Sequence, residues 1–265
     1  MNVAITGASG FIGKRLKGVP VSTRGEIVLP PCDAVVNLAG EPVAQRWTAE
    51  ARERIRSSRV DGTRRLVDAL QKNPPKVLVS ASAIGYYGSR GDEILTEASA
   101  PGDDFLAKVC VDWEREAMRA EEFGVRVVRV RIGVVLGPGG ALAKMLPIFK
   151  LGLGGPIADG KHWMSWIHID DMVRLIEFAI ENPVTGAINA VAPNPVTNAE
   201  FTRELARAIH RPAIFPVPKL ALKALYGEMA SILWASQRVT PAVASNTGFN
   251  FRYPTLANPQ IWSSI

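Results

Sequence analysis

The sequence predicts an α/β protein: a doubly wound parallel sheet with a smaller, mainly helical C-terminal lobe. Three observations predict it. A glycine-rich turn, Thr6 to Gly13 (TGASGFIG), stands between the short apolar run Asn2-Val3-Ala4-Ile5 and a stretch able to continue as a helix. Strand-length apolar runs then alternate with helix-length amphipathic segments as far as Pro138, the pattern of a Rossmann-type sheet with right-handed crossovers. From Gly139 the texture changes to glycine-rich loops and apolar segments interrupted by proline.

The first turn reads Gly-x-x-Gly-x-x-Gly between strand and helix, an arrangement that binds a dinucleotide. Gly7 permits the tight turn, Gly10 lets the backbone approach a pyrophosphate, and Gly13 allows close packing of helix on strand. Free N–H groups at the helix start, with the positive end of its dipole, then hold the anion. That helix is short, because only Phe11 to Lys17 precede Gly18, a C-terminal stop. Val19 to Thr23 is the second strand and ends in Ser22-Thr23-Arg24. An acidic residue at this tip selects NAD through the ribose 2′-hydroxyl, whereas an arginine accommodates a 2′-phosphate. Arg24, with the Ser22 and Thr23 hydroxyls, therefore points to NADP(H) as preferred cofactor, with NAD(H) the alternative.

Ile27-Val28-Leu29 reads as a brief edge strand stopped by Pro30-Pro31, and Asp33 to Leu38 as a buried strand. The latter ends in Ala39-Gly40, small enough for a cofactor to lie across its tip. Ala49 to Leu70 is a long helix with an arginine-rich outer face. Gly62 inside it costs about 1 kcal/mol relative to alanine, which suggests the close approach of a neighbour. Lys76 to Ser82 is the next strand, opening into a loop with Gly85, Tyr86, Tyr87 and Gly88. A helix from Phe105 to Phe123 starts at an aspartate cap and carries Leu106, Val109, Cys110, Trp113 and Ala117 on one face. Gly124 stops it, Val125 to Ile132 is a strand, and Gly133 to Pro138 turns off the sheet.

Beyond Gly139 the elements are an apolar helix at Leu142 to Leu151, a glycine-rich loop to Gly160, and Trp163 to Ile169. A helix at Asp170 to Glu181, a strand at Ala187 to Val191, and a helix at Asn198 to His210 capped by Asn198 follow. FPVPKLALKALYGEMASILW is apolar but broken by Pro216, Pro218 and Gly227. These elements divide the chain into a cofactor domain, residues 1–140 and 170–192, and a substrate lobe, residues 141–169 and 193–265.

With 47% apolar and 21% charged residues, the 265-residue chain has ordinary globular composition. It contains no apolar run long enough to span a bilayer and no leader-like start, so no membrane association is expected. Cys32 and Cys110 match no metal spacing, so free thiols in a cytoplasmic protein are expected and no metal site. Much of the +6 net charge comes from Arg46, Arg52, Arg54, Arg56, Arg59, Arg64 and Arg65. No aromatic stacking platform accompanies them. They read as a solvated helix face, some of whose arginines attract a polyanionic cofactor, and no nucleic-acid partner is expected.

TGASGFIG, NLAG, SRVDGTRRLVDAL, VSASAIGYYG, RIGVVLGP and WIHIDDMV occur in this order along the chain. The set resembles the extended short-chain dehydrogenases/reductases, the NAD-dependent epimerase/dehydratase family. NLAGEPVAQRW, GLGGPIADGKHWMSWIHIDD and FPVP…GEMA…QRV look more narrowly like an atypical branch with its own C-terminal domain. The resemblance spans the whole chain. It implies that Gly7, Ser9, Gly10, Phe11, Ile12 and Gly13 line the pyrophosphate, and that Thr23 and Arg24 bind the 2′-phosphate. Leu38, Ala39 and Gly40 would flank the adenosine half, with Arg59 reaching toward it. Ser80, Ala81 and Ser82 would lie under the nicotinamide ribose, with Gly133 and Val134 beside the nicotinamide. The resemblance also implies that the segment around His168 ties the lobes together, which favours a structural histidine over an acid or base.

Two departures stand out. The region between Gly13 and Asp33 is short, which leaves the adenosine edge open or padded by another subunit. The family's Tyr-x-x-x-Lys pair, which exchanges a proton during hydride transfer, is missing: Leu106 and Cys110 stand in those places. Lys108 lies about 200° round the helix from Cys110. Ser82 matches the family's catalytic serine, Tyr86 and Tyr87 are candidate proton donors, and Glu41 is the nearest candidate base. The resemblance thus implies an NADP(H)-binding oxidoreductase or epimerase-like enzyme on a small carbonyl or hydroxyl compound, nucleotide sugars among them. Ser82 would polarise the carbonyl, in a monomer or homodimer. The alternative is a protein that senses NADP(H) without turnover.

Overall fold

Short β-branched runs, buried on both faces, make the centre of the computed structural model, which describes residues 1–262. In chain order the strands of the first half are β1 (Val3–Thr6), β2 (Val19–Val21), β3 (Ala34–Asn37), β4 (Val77–Ala83), β5 (Ile94–Leu95) and β6 (Arg126–Ile132). Those of the second half are β7 (Val134–Leu136), β8 (Trp163–Met164), β9 (Trp166–His168), β10 (Gly186–Ala190), β11 (Val196–Thr197) and β12 (Arg238–Val239). Six of them form one parallel sheet in the order β10-β6-β4-β3-β1-β2.

The helices are α1 (Ala49–Leu70), α2 (Phe105–Met118), α3 (Gly140–Lys150), α4 (Ile169–Glu181), α5 (Asn198–Ala208), α6 (Lys219–Tyr226) and α7 (Ala242–Asn246). The period-2 alternation of the strands sends their side chains to two cores. Ile5, Val36, Val79, Val128 and Ile188 pack on Met172, Leu175, Ile176 and Ala179 of α4. Ala4, Val35, Leu78 and Val127 pack on Leu66, Val67 and Leu70 of α1 and Ala117 of α2. Helices therefore cover both faces, the Rossmann-like arrangement expected, and the remaining helices belong to the C-terminal region. No helix among the described residues is long and apolar enough to cross a membrane.

The first crossover differs from expectation. In place of a helix from Phe11 to Lys17 there is one 3-10 turn, Gly13–Arg15, and Leu16 is already extended (φ −87°, ψ 145°). The chain must be back in β2 at Val19, which leaves no length for an α-helix. Ile27 to Leu29 is not a strand either: Val28 is 75% exposed, while Ile27 and Leu29 lean on the core. Pro30 and Pro31 cannot donate to a ladder there. Nor does any neighbour crowd Gly62, since a Cβ would meet only the Ser57 carbonyl oxygen, 3.9 Å away.

Short pairings outside the six-stranded sheet, which no local pattern announces, join segments far apart in the chain. β7 pairs with β9, β5 with β12, both parallel, and β8 with β11 antiparallel. A third core gathers Leu136, Leu142, Phe149, Trp166, Phe201, Leu205 and Trp262. The cap of α5 is Thr197 rather than Asn198: Thr197 and Glu200 form a reciprocal capping box. The Asn198 side chain instead accepts the Ile157 N–H (2.7 Å). By contrast α6 buries none of its residues. Cys32 and Cys110 are both free thiols.

Candidate functional site

Between β1 and β3 the chain connections diverge, to β2 on one side and β4 on the other, and ligands of doubly wound sheets bind at this switch point. Here the glycine turn crosses the end of β3 at close quarters. Gly7 has φ +68°, and a Cβ on it would lie 2.7 Å from the Leu38 carbonyl. A Cβ on Gly13 would lie 2.3 Å from the Gly7 carbonyl oxygen. The Gly10 N–H donates to that same oxygen (2.9 Å), and the Lys14 N–H to the Gly10 carbonyl (3.1 Å). Among the described residues no backbone acceptor takes the N–H groups of Ser9, Phe11 or Ile12. The turn is thus a concave nest of donors. A single 3-10 turn stands behind it, so the nest rather than a long helix dipole carries the attraction for an anion.

A trough extends both ways from Gly7. On the β2 side a cavity of about 730 Å³ is lined by Ser9, Ser22, Thr23, Arg24, Ala39, Gly40, Glu41, Ser58 and Arg65. Arg24 holds its loop by donating its backbone N–H to Ser22 Oγ (3.1 Å). Arg65 reaches from α1 and donates to the carbonyls of Thr23 (3.0 Å) and Gly25 (3.5 Å). It makes no ion pair among the described residues, so two cations flank the hydroxyls of Ser22 and Thr23. On sequence alone Arg65 belongs to the arginine-rich face of α1, some of whose arginines attract a polyanionic cofactor, and is not singled out. Its spacing from Ser58 was the available signal: seven residues put both on one side of α1, and Ser58 Oγ accepts the Glu41 N–H (3.0 Å). Glu41 itself therefore stands at this end of the trough, not at the other.

Arg59 bridges the two ends. Its guanidinium donates to the carbonyls of Glu41 (2.9 Å) and Ile55 (3.1 Å) and lies 5.3 Å from the Trp113 ring. A Cβ on Gly40 would touch it at 3.1 Å. Several other arginines of this stretch are matched to acids: Arg52 to Glu228, Arg54 to Glu41, Arg56 to Asp112 and Arg64 to Glu116.

On the β4 side a cavity of about 270 Å³ is lined by Phe11, Ile12, Leu38, Ala81, Ser82, Leu106, Cys110, Trp113 and Ile132, among others. Buried Ser82 donates its hydroxyl proton to Glu114 Oε1 (2.7 Å). Glu114 in turn accepts from Arg131 Nε (2.8 Å) and Nη2 (3.0 Å) and from Arg129 (3.2 Å). Burial, reinforced by the Glu114 charge, pushes the Cys110 thiol up to about 12, so it is protonated at neutral pH. Lys108 is exposed on another face of α2.

Other candidates lie off the cavity wall. Tyr87 is fully buried, donates to Asn189 Oδ1 (2.6 Å) and accepts from Arg131 Nη1 (3.0 Å); burial pushes its phenol up to about 12. Tyr86 lies under the Arg131 guanidinium, 3.5 Å from its ring centre. Ser80 belongs to a buried polar staple across the strand ends. Asn37 donates to Ser80 Oγ (3.3 Å) and Thr63 Oγ1 (2.9 Å) and accepts from Thr6 (2.6 Å), and Trp113 also donates to Thr63 (2.9 Å). Gly133 and Val134 sit at the β6–β7 joint, where their N–H groups donate to the Ala190 and Ser165 carbonyls. His168 caps α4, its Nδ1 accepting the Asp170 N–H (3.2 Å). Burial lowers its pKa, which keeps the ring in the neutral form that this bond requires.

A further cavity, about 480 Å³, opens between α2 and the segment around α6 and shares Leu106 with the β4-side cavity. The whole constellation suits a dinucleotide: a glycine cradle that any Cβ would fill, a donor nest, and two cations beside hydroxyls at one end.

Comparison with known proteins agrees with this geometry. Residues 22–192 match the NAD dependent epimerase/dehydratase family, and residues 217–258 match a domain of unknown function (DUF1731). The chain is 43% identical to the epimerase family protein SDR39U1 homolog, chloroplastic, of Arabidopsis thaliana, over 96% of this chain and 84% of that one. It is 37% identical to epimerase family protein YfhF of Bacillus subtilis, over 97% and 95% of the two chains. The crystal structure of human epimerase family protein SDR39U1 (isoform2) with NADPH superposes with a TM-score of 0.91 at 34% identity, covering 100% of both chains.

Proposed function

The chain belongs to the NAD dependent epimerase/dehydratase family, and on that premise we propose that it is an NADP(H)-binding oxidoreductase or epimerase-like enzyme acting on a small carbonyl or hydroxyl compound. The observation that carries the reading is the trough itself. Arg24 and Arg65 flank the Ser22 and Thr23 hydroxyls at one end, the glycine nest lies in the middle, and Ser82 lines the other end. In this reading the nest receives the pyrophosphate, and the two arginines take the 2′-phosphate through charge-assisted hydrogen bonds. The NADPH in the similar human protein supports the preference for the phosphorylated cofactor. When bound, the cofactor supplies or accepts hydride.

Ser82 is the first candidate to handle the proton. Its hydrogen points at Glu114 and the Cys110 thiol is in hydrogen-bond contact with it, which leaves one lone pair to accept a bond from a substrate hydroxyl. Polarising a carbonyl instead requires the Ser82 hydroxyl to turn away from Glu114. Tyr86 is the second candidate, since the Tyr87 hydroxyl is already engaged by Asn189 and Arg131. A second reading, NADP(H) sensing without turnover, is favoured by one observation: Leu106 and Cys110 occupy the positions of the missing tyrosine and lysine. Two free thiols also lead us to place the protein in the cytoplasm.

Calorimetric titration with NADPH and NADH, followed by a panel of aldehydes, ketones and nucleotide sugars, tests both readings. NADPH binding tighter than NADH, with substrate-dependent turnover lost in Ser82→Ala, is expected. Binding with no turnover on any compound leaves the sensor, and absence of NADPH binding overturns both.

A further inference from the structure

The cavity beyond Leu106 has a composition that selects its ligand. Its walls are Trp47, Phe105, Leu106, Ile232 and Trp234. Trp47 and Phe105 meet edge to face, with ring centres 5.2 Å apart.

Most of the polar side chains on its lining are already spent. Asp104 caps α2 by accepting the Ala107 N–H (2.9 Å), Ser89 accepts the Ser236 N–H (3.0 Å), and Ser231 donates to the Glu228 carbonyl (2.8 Å). Two cations on the lining are available to an anion. Lys223 makes no side-chain hydrogen bond or ion pair among the described residues, and Arg52 is bedded on Phe105 and Trp47, 5.0 and 5.8 Å from their ring centres. The partner of Arg52 is Glu228, whose side chain is 65% exposed and stands just after α6, the helix that buries nothing. An anion entering from solvent can therefore take Arg52 from Glu228 at little cost.

We propose that this cavity binds a carboxylate-bearing substrate with a planar apolar body, of the aryl or conjugated keto or hydroxy acid class. The carboxylate sits with Arg52 and Lys223, the flat body lies on Trp47, Phe105 and Trp234, and the carbonyl or carbinol end reaches past Leu106 toward Ser82. Glu228 is the placeholder that the ligand displaces. The aromatic walls also disfavour a nucleotide sugar, most of whose ring hydroxyls would lose water against them without a partner for each. The assignment rests on the oxidoreductase reading above for its reactive end, but its binding is measured without turnover.

The test is quenching of tryptophan fluorescence in the full chain saturated with NADP+, Trp47 and Trp234 being in the wall. The probes are 2-naphthoate, its neutral isostere 2-naphthamide, and UDP-glucose as competitor. We expect 2-naphthoate to bind at least tenfold more tightly than 2-naphthamide, and Arg52→Met and Lys223→Met each to remove most of that preference. Glu228→Gln, which deletes only the competing charge, tightens 2-naphthoate several-fold and keeps the idea testable if Arg52→Met fails to fold. Equal binding of acid and amide, no gain in Glu228→Gln, or displacement of 2-naphthoate by equimolar UDP-glucose overturns the proposal. Failure of NADP+ to bind the wild-type chain, read separately by calorimetry, strikes the oxidoreductase reading instead.

Discussion

The two ends of the trough are built by different means. From the central nest to the β2 end the cradle is largely backbone, a glycine turn, a strand tip of small residues and a loop pinned by Arg65, with the Ser22, Thr23, Arg24 and Arg65 side chains only at its far edge. At the β4 end it is side chains: Ser82 on a buried Glu114, a protonated Cys110, and Leu106 opening onto a second, aromatic cavity. Backbone surfaces tolerate little change, because a misplaced Cβ meets atoms that cannot rotate away. Side-chain surfaces can be rebuilt one residue at a time, which is how a chain keeps a cofactor cradle while replacing the pair that usually moves the proton.

The sharpest way to break this contrast is at Glu114. Arg131 is 3% exposed in its side chain and loses its carboxylate in Glu114→Ala. Leaving a buried charge uncompensated costs about 3–5 kcal/mol, so urea unfolding should show the largest loss here, with Glu114→Gln milder. A loss under 1 kcal/mol would mean that the β4 end has no rigid support. Next comes Gly13→Ala, whose methyl would fall 2.3 Å from the Gly7 carbonyl oxygen. We expect a cost of roughly 1–3 kcal/mol and loss of detectable NADPH binding by calorimetry.

Arg65→Met sharpens the β2 end. It should weaken NADPH about tenfold, as losing one charge-assisted bond implies, and leave NADH unchanged; an equal loss for both cofactors would make Arg65 a mere loop anchor. Gly62→Ala is the counterpart to Gly13. With nothing nearer than 3.9 Å to the new methyl, it should raise stability by about 0.5–1 kcal/mol, measured as a shift in the urea midpoint.

The smallest effect concerns pH. Burial lowers the pKa of His162 and His168 below the ordinary 6.5. Below that value the unfolded chain binds more protons than the folded one, so stability is full above about pH 6.5 and declines as pH falls through the window beneath it. Unfolding at pH 7 and 5.5 should show the decline. His168→Asn, which can still cap α4, should flatten it, and an unchanged slope would remove His168 from the account.

Local pattern determined much of this protein. The strand periods of β1, β3, β4 and β6, the long helices α1 and α2, the stop at Gly124 and the crowded turn at Gly7 and Gly13 all follow from residues within a few positions of one another. Pattern misled where chain length overruled it, as in the turn that replaced the expected first helix. It also misled where a residue had two roles open, as at Asn198, whose side chain left the cap to Thr197. What only tertiary structure decided are the contacts between distant segments: Arg65 on the carbonyls of residues 42 and 40 positions earlier, Arg52 on Glu228 176 positions away, and Tyr87 on Asn189 102 positions away. A hydrogen bond or ion pair across such distances has no periodic signature, because its partners are brought together by the packing of the sheet and not by the local geometry of either segment.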